Sequence, residues 1–329
     1  VFACRAAGAA DFRVAKEADM RLLTRSDFDG LICAVLLKEA GVMDEWVFVH
    51  PKDVQDGKVD CGPNDILANV PYAPGCGLWF DHHTSEAARL GDIEFQGASR
   101  HYPSCARVIW EYYGGHDKFP ARFDEMLAFV DRCDSGDLTP EEVAKPEGWI
   151  LLSFLMDPRT GLGRYRDYRI SNYQLMMRLV DLCRHEPVAA ILADPDVAER
   201  VKRYFEQEEL FAGMLRARSK AVGDVLVIDL RAQEEIYTGN RFTAYALFPD
   251  CTVSVQVIWG KAKQNVVLTV GKSIFDRSNP VDIGRLMLAY GGGGHKNVGT
   301  CQVPEAEAEQ VLADVVAVLN GDKPAPGNG

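Results

Sequence analysis

The first third of the chain alternates short apolar segments with helix-like stretches, and this alternation constrains the fold more than any other feature. Met20 to Arg25 is a short, largely apolar run that meets Ser26-Asp27-Phe28-Asp29-Gly30, after which Leu31 to Ala40 is apolar again. This reads as strand, tight turn and helix. Glu45 to His50, Asp65 to Val70 and Gly77 to Phe80 read as further strands, and Pro103 to Tyr113 and Ala121 to Asp131 as helices. Strands interleaved with helices pair in parallel, because each crossover helix returns the chain in the same direction. An α/β fold is therefore expected. In parallel sheets ligands collect at the carboxyl ends of the strands, so the residues that follow Leu23, Val70 and Phe80 are the first place to look for chemistry.

From Gly148 to Leu215 the pattern is helical and charged, and Asp196 to Arg218 reads as a solvated connecting helix. Strands are expected again at Asp224 to Leu230, Thr243 to Phe248, Thr252 to Trp259 and Asn265 to Val270, followed by helices at Val281 to Tyr290 and Glu305 to Leu319. A chain of 329 residues, at roughly 100–200 residues per domain, holds two domains. We expect a parallel-sheet domain over residues 20–195, a helical linker over 196–221 and a smaller α/β domain over 222–321. The Pro/Gly-rich tail from Asp322 to Gly329 is expected to be disordered.

Composition narrows the function classes. No apolar run approaches the ~20 residues that span a bilayer, and Val1 to Asp19 lacks the basic-then-apolar layout of a secretory leader. A cytoplasmic protein without a membrane partner is expected. Nine cysteines without a C-x-x-C pair read as reduced thiols, not as a disulfide framework or a zinc site. A net charge of −12 argues against duplex DNA, which wants a basic face. It leaves room for a short anionic substrate, since divalent ions and a few arginines reverse the field locally.

Four constellations carry candidate chemistry. Asp27 and Asp29 leave the first strand two residues apart. Such carboxylates repel unless a cation neutralises them, and oxygen donors of this kind suit hard ions; an acidic helix cap is the competing reading. Asp81-His82-His83 follows the apolar run ending at Phe80, so one side chain can face a site while a neighbour orients it. Asp131-Arg132-Cys133-Asp134-Ser135-Gly136-Asp137 closes a helix and offers further carboxylates, or is a polar turn. Gly291-Gly292-Gly293-Gly294-His295 lets backbone approach a ligand closely, or is a surface linker.

Taken in order, an acidic strand end, D-H-H, a further acidic turn and a distal G-G-G-G-H resemble the DHH phosphoesterase family with its DHH-associated C-terminal domain, from about Arg21 to Val303. The resemblance implies two domains facing each other across a cleft, with the first holding Mn²⁺ (or Mg²⁺), one or two ions. It implies Asp27, Asp29, His82 and Asp134 as metal ligands, with Asp131 and Asn69 as further candidates. Arg25, Asp81 and His83 become candidate catalytic residues, and Gly292, Gly293, Gly294, His295 and Arg241 candidate substrate-binding residues. The family usually carries a His where Arg25 stands and a bridging Asp where Asn69 stands, with Asp60 and Asp65 as possible substitutes for the latter. Arginine cannot replace a histidine ligand, though it pairs well with phosphate, so the two-ion site is left open.

Hydrolysis of phosphoester bonds in a short oligonucleotide or cyclic dinucleotide is the leading expectation, of the oligoribonuclease or phosphodiesterase kind. The wording of Thr24-Arg25-Ser26-Asp27-Phe28-Asp29-Gly30 looks most like exopolyphosphatase-like members, which makes inorganic polyphosphate the alternative substrate. Tyr237, Phe242, Tyr245, Trp259 and Tyr290 are available to stack on bases or to fill the core. Two other classes compete: a nucleotide sensor without turnover, and a scaffold that merely keeps the fold. The resemblance also allows a homodimer.

Overall fold

The computed structural model describes residues 20–325 apart from Thr84, Ser85, Ala87 and Ala88. The Ala-rich stretch before residue 20 and the end of the Pro/Gly tail lie outside these. Two compact units are present. The first runs to Asp137 and resumes over Glu147–Lys202; the second comprises Leu138–Pro146 and the chain from Arg203 onward. The division falls inside the helix Pro195–Arg218.

In the first unit, β1 (Arg21–Arg25), β2 (Glu45–Val49), β3 (Asp65–Ala68), β4 (Leu78–Asp81) and β5 (Gly97–Ser99) form one sheet of order β2-β1-β3-β4-β5. Every neighbouring pair is parallel. The chain leaves β1 toward β2 on one side and places β3 on the other, so the order reverses at β1, the position where open parallel sheets leave a crevice. β5 was not anticipated; its Gly-Ala-Ser carries no apolar alternation.

Helix α1 (Phe28–Ala40) follows β1 directly. Leu31, Ile32, Cys33, Ala34, Val35, Leu36 and Leu37 are all fully buried, which is the mark of a helix enclosed on every side. It packs against α2 (Cys105–Tyr112), α3 (Asp124–Ser135), α4 (Gly148–Met156) and α5 (Asn172–His185). Gly41 ends it in the left-handed conformation with φ 75°, returning its N–H to Leu37 and Lys38, as a helix C-terminal glycine does.

The second unit is a six-stranded mixed sheet of order β10-β11-β9-β8-β7-β6, comprising β6 (Ser219–Val222), β7 (Val225–Asp229), β8 (Val253–Trp259), β9 (Val266–Lys272), β10 (Gly293–His295) and β11 (Val298–Val303). Only β7 and β8 pair in parallel. Along β8 and β9 the residues Val253, Val255, Val257, Val266, Leu268 and Val270 are buried in alternation, each stabilising by roughly 1.5–3 kcal/mol.

Thr243 to Phe248, expected as a strand, is instead a helix over Thr243–Leu247. Phe242 and Tyr245 stand one turn apart and are both buried. That three-residue spacing serves a helix and not a strand. Tyr245 Oη also donates to Gly271 O at 2.7 Å. Both aromatics therefore belong to the core and are not base-stacking platforms. Among the described residues, no helix is long and apolar enough to cross a membrane, and eight cysteines are present as free thiols.

Candidate metal centre

The ends of β1, β3 and β4 lie side by side, because Thr24 pairs with Ala68 and Ala68 with Phe80. Asp27, Asn69 and the Asp81-His82-His83 run thus emerge at one edge of the sheet. Gly30 makes the tight departure of α1 possible: a Cβ there would lie 2.0 Å from the Arg25 carbonyl oxygen. No other residue fits that approach.

Asp29, on the first turn of α1, is almost wholly buried at 2% exposure. Its carboxylate accepts from the first backbone N–H groups of α2, Cys105 at 2.9 Å and Ala106 at 2.8 Å. A helix N-terminus presents unpaired donors and positive potential, so it holds this charge in place. Its Oδ2 lies 3.7 Å from His82 Nε2. His82 Nδ1 meets the Tyr102 carbonyl oxygen at 3.1 Å. A carbonyl can only accept, so Nδ1 carries a proton and Nε2 is the nitrogen turned toward the cluster. Asp134, in the last turn of α3, brings Oδ2 to 3.3 Å from the same Nε2. The ligand atoms of Asp29, His82 and Asp134 all fall within 4.8 Å of one another.

This arrangement favours a cation. Among the described residues, His82 Nε2 is buried without a hydrogen-bond partner, and the two groups nearest to it are carboxylates. Two carboxylates drawn onto one imidazole repel each other until a positive charge joins them. Burial, then the Asp134 charge, pushes the Asp29 carboxyl up to about 7, opposed by His82. Asp134 is raised as well, first by partial burial, its side chain remaining 31% exposed, and then by Asp27, against the pull of His82, His83 and Arg25. One imidazole nitrogen and two carboxylates are a donor set that can hold a divalent metal ion.

No family model matches the chain, and no curated protein matches it. Solved structures do. The chain is 47% identical to the pGpG-specific phosphodiesterase PggH from Vibrio cholerae, covering 93% of this chain and all of that one, with a TM-score of 0.81. The DHH domain of a protein described as a member of a ribosomal-protein family superposes with a TM-score of 0.57 at 12% identity, over 92% of this chain and 87% of that one. RecJ from Thermus thermophilus in complex with Mn²⁺ is similar at 14% identity and a TM-score of 0.48, over 93% of this chain and 52% of that one. The chain belongs to the DHH phosphoesterase family.

Within this DHH protein the signature triplet divides its labour. Asp81 is fully buried. Its Oδ1 lies 2.9 Å from His83 Nδ1, and its Oδ2 accepts from the His83 backbone N–H at 3.1 Å. Burial alone would lower the His83 pKa. The hydrogen bond and charge of Asp81, with Asp134 and Asp29 behind it, raise it to about 9. The aspartate of the triplet therefore fixes the second histidine, while the first histidine faces the cluster.

The remaining candidates are placed as follows. Asp27 caps α1, its Oδ1 accepting from Gly30 N at 3.0 Å and from Asn69 Nδ2 at 3.1 Å, and its Oδ2 lies 2.9 Å from Arg25 Nε. Asp131 is not gathered into the cluster of three. Its Oδ1 accepts from Ser104 Oγ at 2.6 Å, and its Oδ2 takes both Nε and Nη2 of Arg107 at 2.9 and 2.6 Å. Gly292, Gly293, Gly294, His295 and Arg241 all lie in the second unit. The glycine run is ordered sheet edge and not a linker: Gly293–His295 is β10, and Cβ atoms at Gly292 and Gly294 would come within 2.1 and 2.2 Å of the carbonyls of Thr300 and Val298.

Sequence reasoning missed Arg159. It follows Asp157-Pro158 in a one-turn helix, pairs with Asp157 Oδ1 at 2.7 Å, and feels the charges of Asp27 and Asp134. Asp157 also lines a cavity of about 290 Å³ with Ser26, Leu155, Met156, Asn172 and Met176. Arg159 lies far along the chain from the D-H-H run, and only the packing of α4 brings its turn near; an arginine in an Asp-Pro turn carries no signal by itself.

Proposed function

We propose that this chain is a divalent-metal-dependent phosphodiesterase, using Mn²⁺ or Mg²⁺, that cleaves the phosphodiester of a short linear dinucleotide of the pGpG type. The observation that carries the reading is the Asp29, His82 and Asp134 cluster with its unpartnered imidazole nitrogen. The substrate class is supported by the 47% identity to a pGpG-specific phosphodiesterase over nearly the whole of both chains.

When bound, a divalent ion supplies Lewis acidity and activates water for in-line attack at phosphorus. The chain's own groups do the rest. Asp29 is aimed by the α2 N-terminus and His82 by the Tyr102 carbonyl, so the ion's position is set before substrate arrives. His83, protonated at neutral pH through Asp81, donates to a phosphoryl oxygen as charge develops there. Arg25 and Arg159 neutralise the anion. The cavity of about 290 Å³ lined by Ser26, Leu155, Met156, Asn172 and Met176 suits one flat nucleobase. A protein of net charge −12 suits a substrate with few phosphates, whereas a long polyanion wants a basic track.

The deciding assay incubates the protein with pGpG, other linear dinucleotides, cyclic dinucleotides and polyphosphate, each with Mn²⁺, Mg²⁺ or chelator, and separates the products chromatographically. Hydrolysis of pGpG to two molecules of GMP, abolished by chelator and by Asp29→Ala, is the expected result. Release of phosphate from polyphosphate with pGpG left intact would replace this reading with the exopolyphosphatase one. Retention of pGpG without cleavage under every metal would replace it with a sensor.

A further inference from the structure

We propose that this enzyme holds a single divalent ion, at Asp29, His82 and Asp134, and that the guanidinium of Arg25, clamped by Asp27, supplies the second fixed positive charge at the same strand ends. The proposal rests on the metal-dependent reading above and specifies how that site is built.

Two carboxylates leave β1 together. Asp29 is held on both oxygens by neutral backbone N–H groups and keeps its charge for a cation, whereas the charge of Asp27 is already paired with a guanidinium. Asp27 is 8% exposed and already satisfied on both oxygens. Gly30 N and Asn69 Nδ2 donate to Oδ1, and Arg25 Nε lies 2.9 Å from Oδ2. These partners are anchored by backbone. Arg25 is the last residue of β1, in register with Val49 of β2, and Gly30 is pinned against the Arg25 carbonyl. A second divalent ion would have to displace a guanidinium that does not deprotonate in proteins from a buried carboxylate. It would also meet that guanidinium's charge at close range.

No other carboxylate among these residues is spare. Asp131 is consumed by Arg107 and Ser104, and Asp81 by His83. Asn69 contributes no charge. Its backbone is left-handed at φ 56°, and its amide nitrogen is committed to Asp27. Its Oδ1, buried and without a partner among the described residues, is one neutral donor, whereas Mg²⁺-like ions are bound through carboxylates and keep several oxygen ligands. Arg25 itself keeps 34% of its side chain exposed. Its planar fork can therefore meet a phosphate oxygen while Nε stays on Asp27.

The test counts ions and does not depend on turnover. The full chain, stripped by chelator and dialysed, is titrated with Mn²⁺; free ion is measured by its EPR signal and bound ion by elemental analysis. One tightly bound ion per chain is expected. Asp27→Asn is expected to keep that count, and Asp29→Ala and His82→Ala to abolish it. The double variant Arg25→His, Asn69→Asp is expected to gain a second ion, with the broadened EPR spectrum of two neighbouring Mn²⁺. Two tight ions in the wild-type chain overturn the proposal and leave the metal-dependent hydrolase standing. A double variant that folds and still binds one ion overturns the role given to Arg25 and Asn69. No bound ion in the wild type overturns the metal-dependent reading itself and this proposal with it.

Discussion

Asp29 sits between the N-terminus of α2 and the imidazole of His82, and its carboxyl is held at about 7 against an ordinary 3.8. Without an ion, ionising it inside the folded protein is costly. At about 1.4 kcal/mol for each pH unit, that interval amounts to about 4 kcal/mol. Between these two pH values the unfolded chain has released the proton and the folded chain still holds it. The stability of the metal-free protein therefore falls as pH rises from about 4 to about 7, and stays low above that. Asp29→Asn removes the titration. It also turns an amide NH₂ toward one of the two backbone N–H groups of α2, a lost acceptor that costs about 1–3 kcal/mol. In chelator the variant is expected to be less stable than wild type by about 1–3 kcal/mol at pH 4, and more stable by about 1–3 kcal/mol at pH 8, once the relief of about 4 kcal/mol is added. Urea denaturation at pH 4, 6 and 8 measures both. A stability difference that does not change sign or size across this range refutes the reasoning. With saturating Mn²⁺ at pH 8 the order reverses, because the ion stabilises only the chain that binds it, and the variant loses hydrolysis.

Gly30→Ala is expected to unfold or badly loosen the β1–α1 turn, since its Cβ would lie 2.0 Å from the Arg25 carbonyl; a thermal transition indistinguishable from wild type would contradict the close packing. His83 is held at about 9 by Asp81, with Asp134 and Asp29 behind it, before an ion is bound. An ion on those two carboxylates removes their support, so hydrolysis by the Mn²⁺-loaded protein is expected to decline with rising pH at or below about 9, and His83→Gln to lower kcat by about 100-fold or more and to erase that limb, as steady-state rates from pH 6 to 10 will show.

Legibility in the sequence followed locality. The ends of β1, β3 and β4 could be read because each couples an apolar run to polar residues within a few positions, and the α/β class follows from their alternation with helices. Asp29, His82 and Asp134 could be named as a set, through the order of their motifs, but not separated from their neighbours. Asp131 lies three residues before Asp134, and only the packing of α2 on α3 shows that Arg107 and Ser104 occupy it. Asp27 had two readings, ligand and helix cap, and its cap geometry with Gly30 becomes visible only beside Arg25 and Asn69. Thr243 to Phe248 misled because its Thr, Tyr and Phe favour strands locally, while the buried aromatics Phe242 and Tyr245 stand at helical spacing. β5 and β10 escaped notice because Gly-Ala-Ser and Gly-Gly-His have too few apolar side chains to show any period.

The short segment from Tyr102 to Ala106 holds two of the three cluster residues through main-chain atoms alone: one carbonyl for His82, two amides for Asp29. Main-chain atoms are the same whatever side chain is attached. The grip itself asks nothing of the side chains at Tyr102, Cys105 and Ala106 beyond fitting where they are, the last two fully buried, whereas adding or deleting a single position there would unseat both residues at once. Length is thus a requirement of this stretch that comparison by letter alone overlooks.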